Sequence, residues 1–104
     1  MIDKLYAIEK LGDTIDSLAV GKGRIKERLL AAYIRSLLLV DVKALPEEAQ
    51  DMLLQVKAEL TSVKPVGDDG SVKATLDTMS EDQAVELAKK ILGIYYRTIS
   101  FDQV

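Results

Sequence analysis

Between Arg24 and Val42, apolar side chains recur at helical spacing on two opposite faces of one segment. At about 100° per residue, Ile25, Leu29, Ala32, Ser36, Leu39 and Val40 fall together, with Tyr33 and Leu37 beside them. Leu30, Ile34 and Leu38 form a second stripe roughly opposite. A helix apolar around most of its circumference sits centrally in its fold or at an interface. A bundle helix needs only about three-sevenths of its surface apolar, and this segment exceeds that. One face can supply the core, and the second stripe then needs its own cover. That cover is either another helix of the same chain or the same stripe on a second copy. The expectation is a two-fold dimer through Leu30, Ile34 and Leu38.

The rest of the chain reads as helices separated by breaks. A first helix is predicted from about Ile2 to Ala19, with Ile8, Leu11, Ile15 and Leu18 as its seam. Gly21-Lys22-Gly23 ends it, since two glycines in three residues favour a turn. The second helix covers about Arg24 to Val42. Leu45-Pro46-Glu47-Glu48 opens a third, with proline at the first helical position and carboxylates at the positive end of the dipole. Ala49, Met52, Leu53, Val56, Leu60 and Val63 mark its buried face, and Pro65 stops it near Val63. Residues 66–71 have loop composition. Val72, Leu76 and Met79 allow a short helix after them. Ser80-Glu81-Asp82-Gln83 is a capping box that starts a fourth main helix, ending near Ser100. Its core face is Ala84, Leu87, Ala88, Ile91, Ile94, Tyr95, Thr98 and Ile99.

Four main helices with short connections predict an all-α, antiparallel, bundle-like array in a single domain over residues 1–104. A loop or short helix joins the third to the fourth. A hairpin that completes its core with a second copy is the structural alternative.

Composition narrows the chemistry. The chain of 104 residues has no cysteine and no histidine. Disulfides, thiolate metal sites and cysteine catalysis are excluded, and the commonest general base and transition-metal ligand are missing. Net charge is −3, which does not advertise a nucleic-acid or anionic-membrane partner. The balance is uneven: basic groups outnumber acidic ones over residues 1–43, and the reverse holds over 44–104. The longest apolar run, Leu37-Leu38-Leu39-Val40, is far short of the ~20 residues of a membrane span. Met1-Ile2-Asp3-Lys4 leads into an amphipathic stretch unlike a signal peptide. A cytoplasmic protein is expected.

The strongest binding signal is Gly21-Lys22-Gly23-Arg24-Ile25-Lys26-Glu27-Arg28. A flexible glycine turn, helix-start N–H groups and nearby cations suit a phosphate. Arg24, Arg28 and Arg35 share one helical stripe, within about 40°. Lys22, Arg24, Lys26, Arg28 and Arg35 are therefore the candidate ligand-binding residues. The Walker pattern is absent, because no Ser or Thr follows Lys22 and no glycine precedes at the required spacing. Without interleaved aromatics, stacking on single strands has little support. The plainer reading is a flexible loop beside solvated arginines.

Other signals are weaker. Asp13-x-x-Asp16 and Glu48-x-x-Asp51 pair carboxylates that could hold Mg²⁺, but dipole pairing explains the second pair on its own. No metal site is predicted. Tyr33, Tyr95 and Tyr96 read as core or rim anchors, with no partner base in view. Serine catalysis lacks histidine, G-x-S-x-G and S-x-x-K. No catalytic residue and no cofactor are predicted. The expected function is a small, non-enzymatic, self-associating interaction module, with room for an unidentified protein partner. The alternative is nucleic-acid or phosphate-ligand binding through the glycine turn and the arginine stripe, with nucleic acid not favoured.

Overall fold

Helix α1 (Lys4–Val20) buries Ala7, Leu11, Thr14 and Leu18, one position round the helix from the predicted seam. Leu11 and Leu18 remain in that seam, while Ile8 and Ile15 sit at its half-buried edge. The shift arises because Thr14, although polar, faces inward and meets a hydroxyl on the neighbouring helix. The computed structural model describes residues 4–65 and 70–102. The predicted loop over 66–71 falls largely on 66–69, outside the described residues.

After α1 the chain turns at Gly21–Gly23. Gly23 adopts φ +91°, which β-carbon sterics deny to most residues. Helix α2 (Ile25–Arg35) then starts from an extended Arg24, whose N–H donates to Glu27 Oε1 at 3.3 Å. The predicted second helix was to reach Val42, but α2 stops at Arg35. Single 3₁₀ turns follow at Leu37–Leu39 and Val42–Ala44. The break lies at Ser36, whose backbone leaves helical geometry with φ −141°.

Ser36 is buried. Its N–H and its hydroxyl both reach the Ala32 carbonyl, and its Oγ lies 2.9 Å from Thr14 Oγ1. Thr14 Oγ1 also lies 2.8 Å from the Lys10 carbonyl. Two hydroxyl protons thus serve three contacts, so one hydroxyl donates to the other and the remaining proton stays with a backbone carbonyl. This pair fixes where α1 and α2 meet. Beyond it, the 3₁₀ path sends Leu37 and Val40 inward and leaves Leu38 and Leu39 outside.

Helix α3 (Glu47–Leu60) buries Ala49, Leu53, Val56 and Leu60, and Pro46, predicted at the first helical position, is instead the extended residue just before it, with ψ 150°. Lys57 on its flank donates to the Val40 carbonyl at 3.2 Å. Burial pushes the Lys57 ammonium below the usual lysine range, with the Asp41 carboxylate opposing. The short helix allowed after the loop is α4 (Ser71–Asp77). Its buried Thr75 accepts from the Val63 N–H at 3.0 Å, tying α4 to the chain just past α3.

Helix α5 (Glu81–Asp102) packs on α1, α2 and α3. It buries Ala84, Leu87, Ile91, Ile94 and Thr98, and the predicted capping box is formed. Gln83 N–H donates to Ser80 Oγ at 3.1 Å, and Gln83 Oε1 accepts from the Ser80 N–H at 2.8 Å. Contacts between Glu48 and Arg97, Met52 and Gly93, and Glu59 and Lys90 run in opposite order along α3 and α5, so the two are antiparallel. Arg28 with Leu18, and Ser36 with Thr14, show the same for α1 and α2. The chain is all-helical, with five α-helices and no strand among the described residues.

This local geometry makes three substitutions informative. Ser80→Ala removes the acceptor of the Gln83 N–H and should cost about 1 kcal/mol, read as a lower denaturation midpoint at unchanged slope. Gly23→Ala should cost about 1–2 kcal/mol from its positive φ and from Glu27 crowding the new methyl. By contrast, Gly70 has φ −74° and open space around it. Gly70→Ala should therefore stay within about 0.5 kcal/mol of the parent in the same measurement.

Candidate anion-binding cleft

The basic residues around the glycine turn do not form one site. Lys22, Arg28 and Arg35 line an open cleft of about 570 Å³ between the end of α1 and the Arg28–Arg35 side of α2, together with Asp16, Ser17 and Gly21. Arg24 and Lys26 line a different cleft, facing α4 and the start of α5, where Glu27, Asp77 and Glu81 share the lining. The predicted arginine stripe therefore loses Arg24. The cause is local: Arg24 is the extended residue before α2, so its side chain does not follow the helical rotation that aligns Arg28 with Arg35.

Each cation has a distinct environment. Lys26 Nζ donates to the Met79 carbonyl at 2.9 Å, which ties the start of α2 to the turn before α5. Arg28 Nη1 donates to the Leu18 carbonyl at 2.9 Å. That carbonyl lies in the last turn of α1, where helix acceptors are orphaned and the dipole favours a cation. Arg28 therefore has a structural task besides any ligand, and its buried Nε has no hydrogen-bond partner. Lys22 and Arg35 are exposed and form no ion pair among the described residues. Other cations form ion pairs: Lys10 with Asp13, Lys73 with Asp77, Lys89 with Glu86, Lys90 with Glu59, and Arg97 with Glu48.

The apolar candidates also divide. Leu30 is half-buried against the core, and residues of α4 come up to it: Val72 and Lys73 share a groove of about 330 Å³ with Leu30, Tyr33 and Ile34. The chain itself thus supplies part of the cover that the second stripe needs. Ile34 remains 58% exposed, Leu38 53% and Leu39 49%. Leu38 no longer continues the Leu30–Ile34 stripe of a helix, since it belongs to the 3₁₀ turn after the break. Nothing in the periodicity marked Leu39 for the surface, because on a continuous helix it joins the core face.

One carboxylate of each predicted pair is engaged in an ion pair. Asp13 pairs with Lys10, and Glu48 with Arg97. Among the described residues no three carboxylates gather where they could hold a metal ion. Tyr95 lies against Gly12 of α1, and Tyr96 is exposed beside it. No helix among the described residues is long and apolar enough to cross a membrane.

Removing the Arg28 guanidinium separates its structural task from surface charge. Arg28→Met keeps the aliphatic stem but strands the Leu18 carbonyl, and should cost about 1–2 kcal/mol. Arg35→Ala should change stability by less than about 0.5 kcal/mol. Urea denaturation of both variants against the parent measures the contrast.

No family model matches the chain, and no curated protein or solved structure resembles it closely enough to count as a match.

Proposed function

We propose that this chain is a non-enzymatic interaction module that pairs with a second copy of itself through the outer side of α2. The reading takes α1, α2, α3 and α5 as an antiparallel four-helix array, with α4 laid across Leu30. It puts the protein in the cytoplasm. A further protein partner on the same surface is compatible with it.

The observation that carries the reading is the exposure of Ile34, Leu38 and Leu39 within six residues of chain, after the core has filled. Fully burying such a side chain contributes roughly 1.5–3 kcal/mol, and these are about half exposed, so each stands to gain about half of that. Single exposed leucines are ordinary on a protein surface; a run of them beside an apolar groove is the pattern of a contact face. A two-fold axis near Ile34 would let each copy's stripe cover the other's.

The test is the molar mass of Ile34→Glu by light scattering, with folding checked by circular dichroism. Because Ile34 is exposed, the variant should keep its helical signal. A dimeric parent that becomes a folded monomer on substitution supports the reading. A parent that is monomeric at ~100 μM, far above the Kd of a specific standard-sized interface, overturns it.

A further inference from the structure

We propose that the cleft between α1 and α2 binds the phosphoryl group of a small hydroxyl-bearing molecule, held by Lys22, Arg28 and Arg35. This does not depend on the oligomeric state. Three cations from two separate stretches of chain converge on one concavity of about 570 Å³, a size suited to a small ligand. Lys22 comes from the glycine turn, and Arg28 and Arg35 from α2, about two turns apart. Like charges so placed repel unless something compensates them. The single carboxylate lining the cleft, Asp16, leaves the positive charge in excess. Lys22 and Arg35 have no ion-pair partner among the described residues, although acidic residues outnumber basic ones over the chain.

The donors are of the right kind. A guanidinium presents donors in a planar fork that matches phosphate oxygens, and an ammonium adds a compact charge. Arg28 is held in place by the Leu18 carbonyl through Nη1, and its guanidinium has further terminal N–H groups beyond that bond. Part of the ordering cost of a ligand contact is thereby already met. Ser17 adds a hydroxyl to the lining. Asp16 would repel a bare anion, but it accepts a hydrogen bond from a hydroxyl on the same ligand, which selects a phosphate ester of a polyol over inorganic phosphate.

The same features argue against a nucleic acid. A long polyanion needs a continuous basic track, and the track is broken: Arg24 and Lys26 face another cleft, among Glu27, Asp77 and Glu81. No aromatic side chain lines the basic cleft for base stacking.

Amide NMR titration of the intact chain tests the proposal, with ribose 5-phosphate, ribose and a single-stranded oligonucleotide as probes at low salt. Ribose 5-phosphate should produce saturable shifts centred on Asp16–Lys22 and Ala31–Arg35, and ribose none. Lys22→Glu and Arg35→Glu, at exposed positions, should each weaken binding about tenfold or more with folding unchanged. Lys64→Glu, a cation outside the cleft, should leave it unchanged. Three results would each overturn the proposal: no saturable shift with ribose 5-phosphate, equal weakening by Lys64→Glu, or tighter binding of the oligonucleotide.

Discussion

The contact between Thr14 and Ser36 organises this molecule. A polar pair in the middle of an apolar seam is costly unless both groups are satisfied, and here each hydroxyl has the other and a backbone carbonyl in reach. Whichever hydroxyl donates to the other, the second proton goes to a backbone carbonyl, so the contact holds only while the two oxygens stay within hydrogen-bond distance. It sets the register of α1 against α2, as a buried polar pair can where greasy side chains would slide. It also coincides with the end of α2. With its N–H and hydroxyl both directed at the Ala32 carbonyl, Ser36 closes the helix while the next residues rewind into a 3₁₀ turn.

Much of the surface chemistry descends from that break. Were α2 to continue to Val42, Leu39 would point with Leu29 and Ala32 toward the core, and Val40 beside it. Instead Leu37 and Val40 enter the core while Leu38 and Leu39 stay out, so the apolar run is split between inside and outside. The turn also strips carbonyls of their helical partners. Lys57 answers at Val40, and does so at the expense of its own hydration, which is why its ammonium is pushed below the usual lysine range. At the other end of α2, Arg28 performs the same service for the last turn of α1. With Lys26 at the Met79 carbonyl, three cations are thus tied to backbone carbonyls, while the exposed Lys22 and Arg35 are not.

How legible this was in the sequence depends on the range of the deciding interaction. The start of α5 was readable because Ser80 and Gln83 satisfy each other three residues apart. The start and buried face of α3 were readable because proline, the first-turn carboxylates and the apolar period all act within one helix. The glycine turn was readable because only glycine accepts the backbone of Gly23 easily. The end of α2 was not. Ser36 falls inside the apolar stripe on a helical wheel, and Leu37–Val42 fit either an α-helix or a 3₁₀ path. What decides is Thr14, a partner far away in sequence. A polar residue in each of two facing seams was the available clue. The candidate cleft was half legible for a related reason: periodicity aligned Arg28 with Arg35, but could not show that Arg24 lies before the helix and faces elsewhere.

The eleven residues of α2 consequently serve three directions at once. Leu29, Ala32 and Tyr33 are buried. Arg28, Ala31 and Arg35 line the basic cleft, and Leu30 and Ile34 line the apolar groove toward α4. At about 100° per residue, cleft and groove are centred roughly a third of a turn apart, with the core between them on the remaining arc. This spacing explains why the segment reads as too apolar for a bundle helix and too basic for a coiled-coil seam: it is neither, but a short helix sharing its circumference among a core, an apolar face and a charged one. It also makes the two surfaces physically separable. A partner seated over Ile34 leaves the Arg28–Arg35 side open, and a ligand held at Arg35 adds no bulk to the Ile34 side, so occupancy of one surface does not by itself preclude the other.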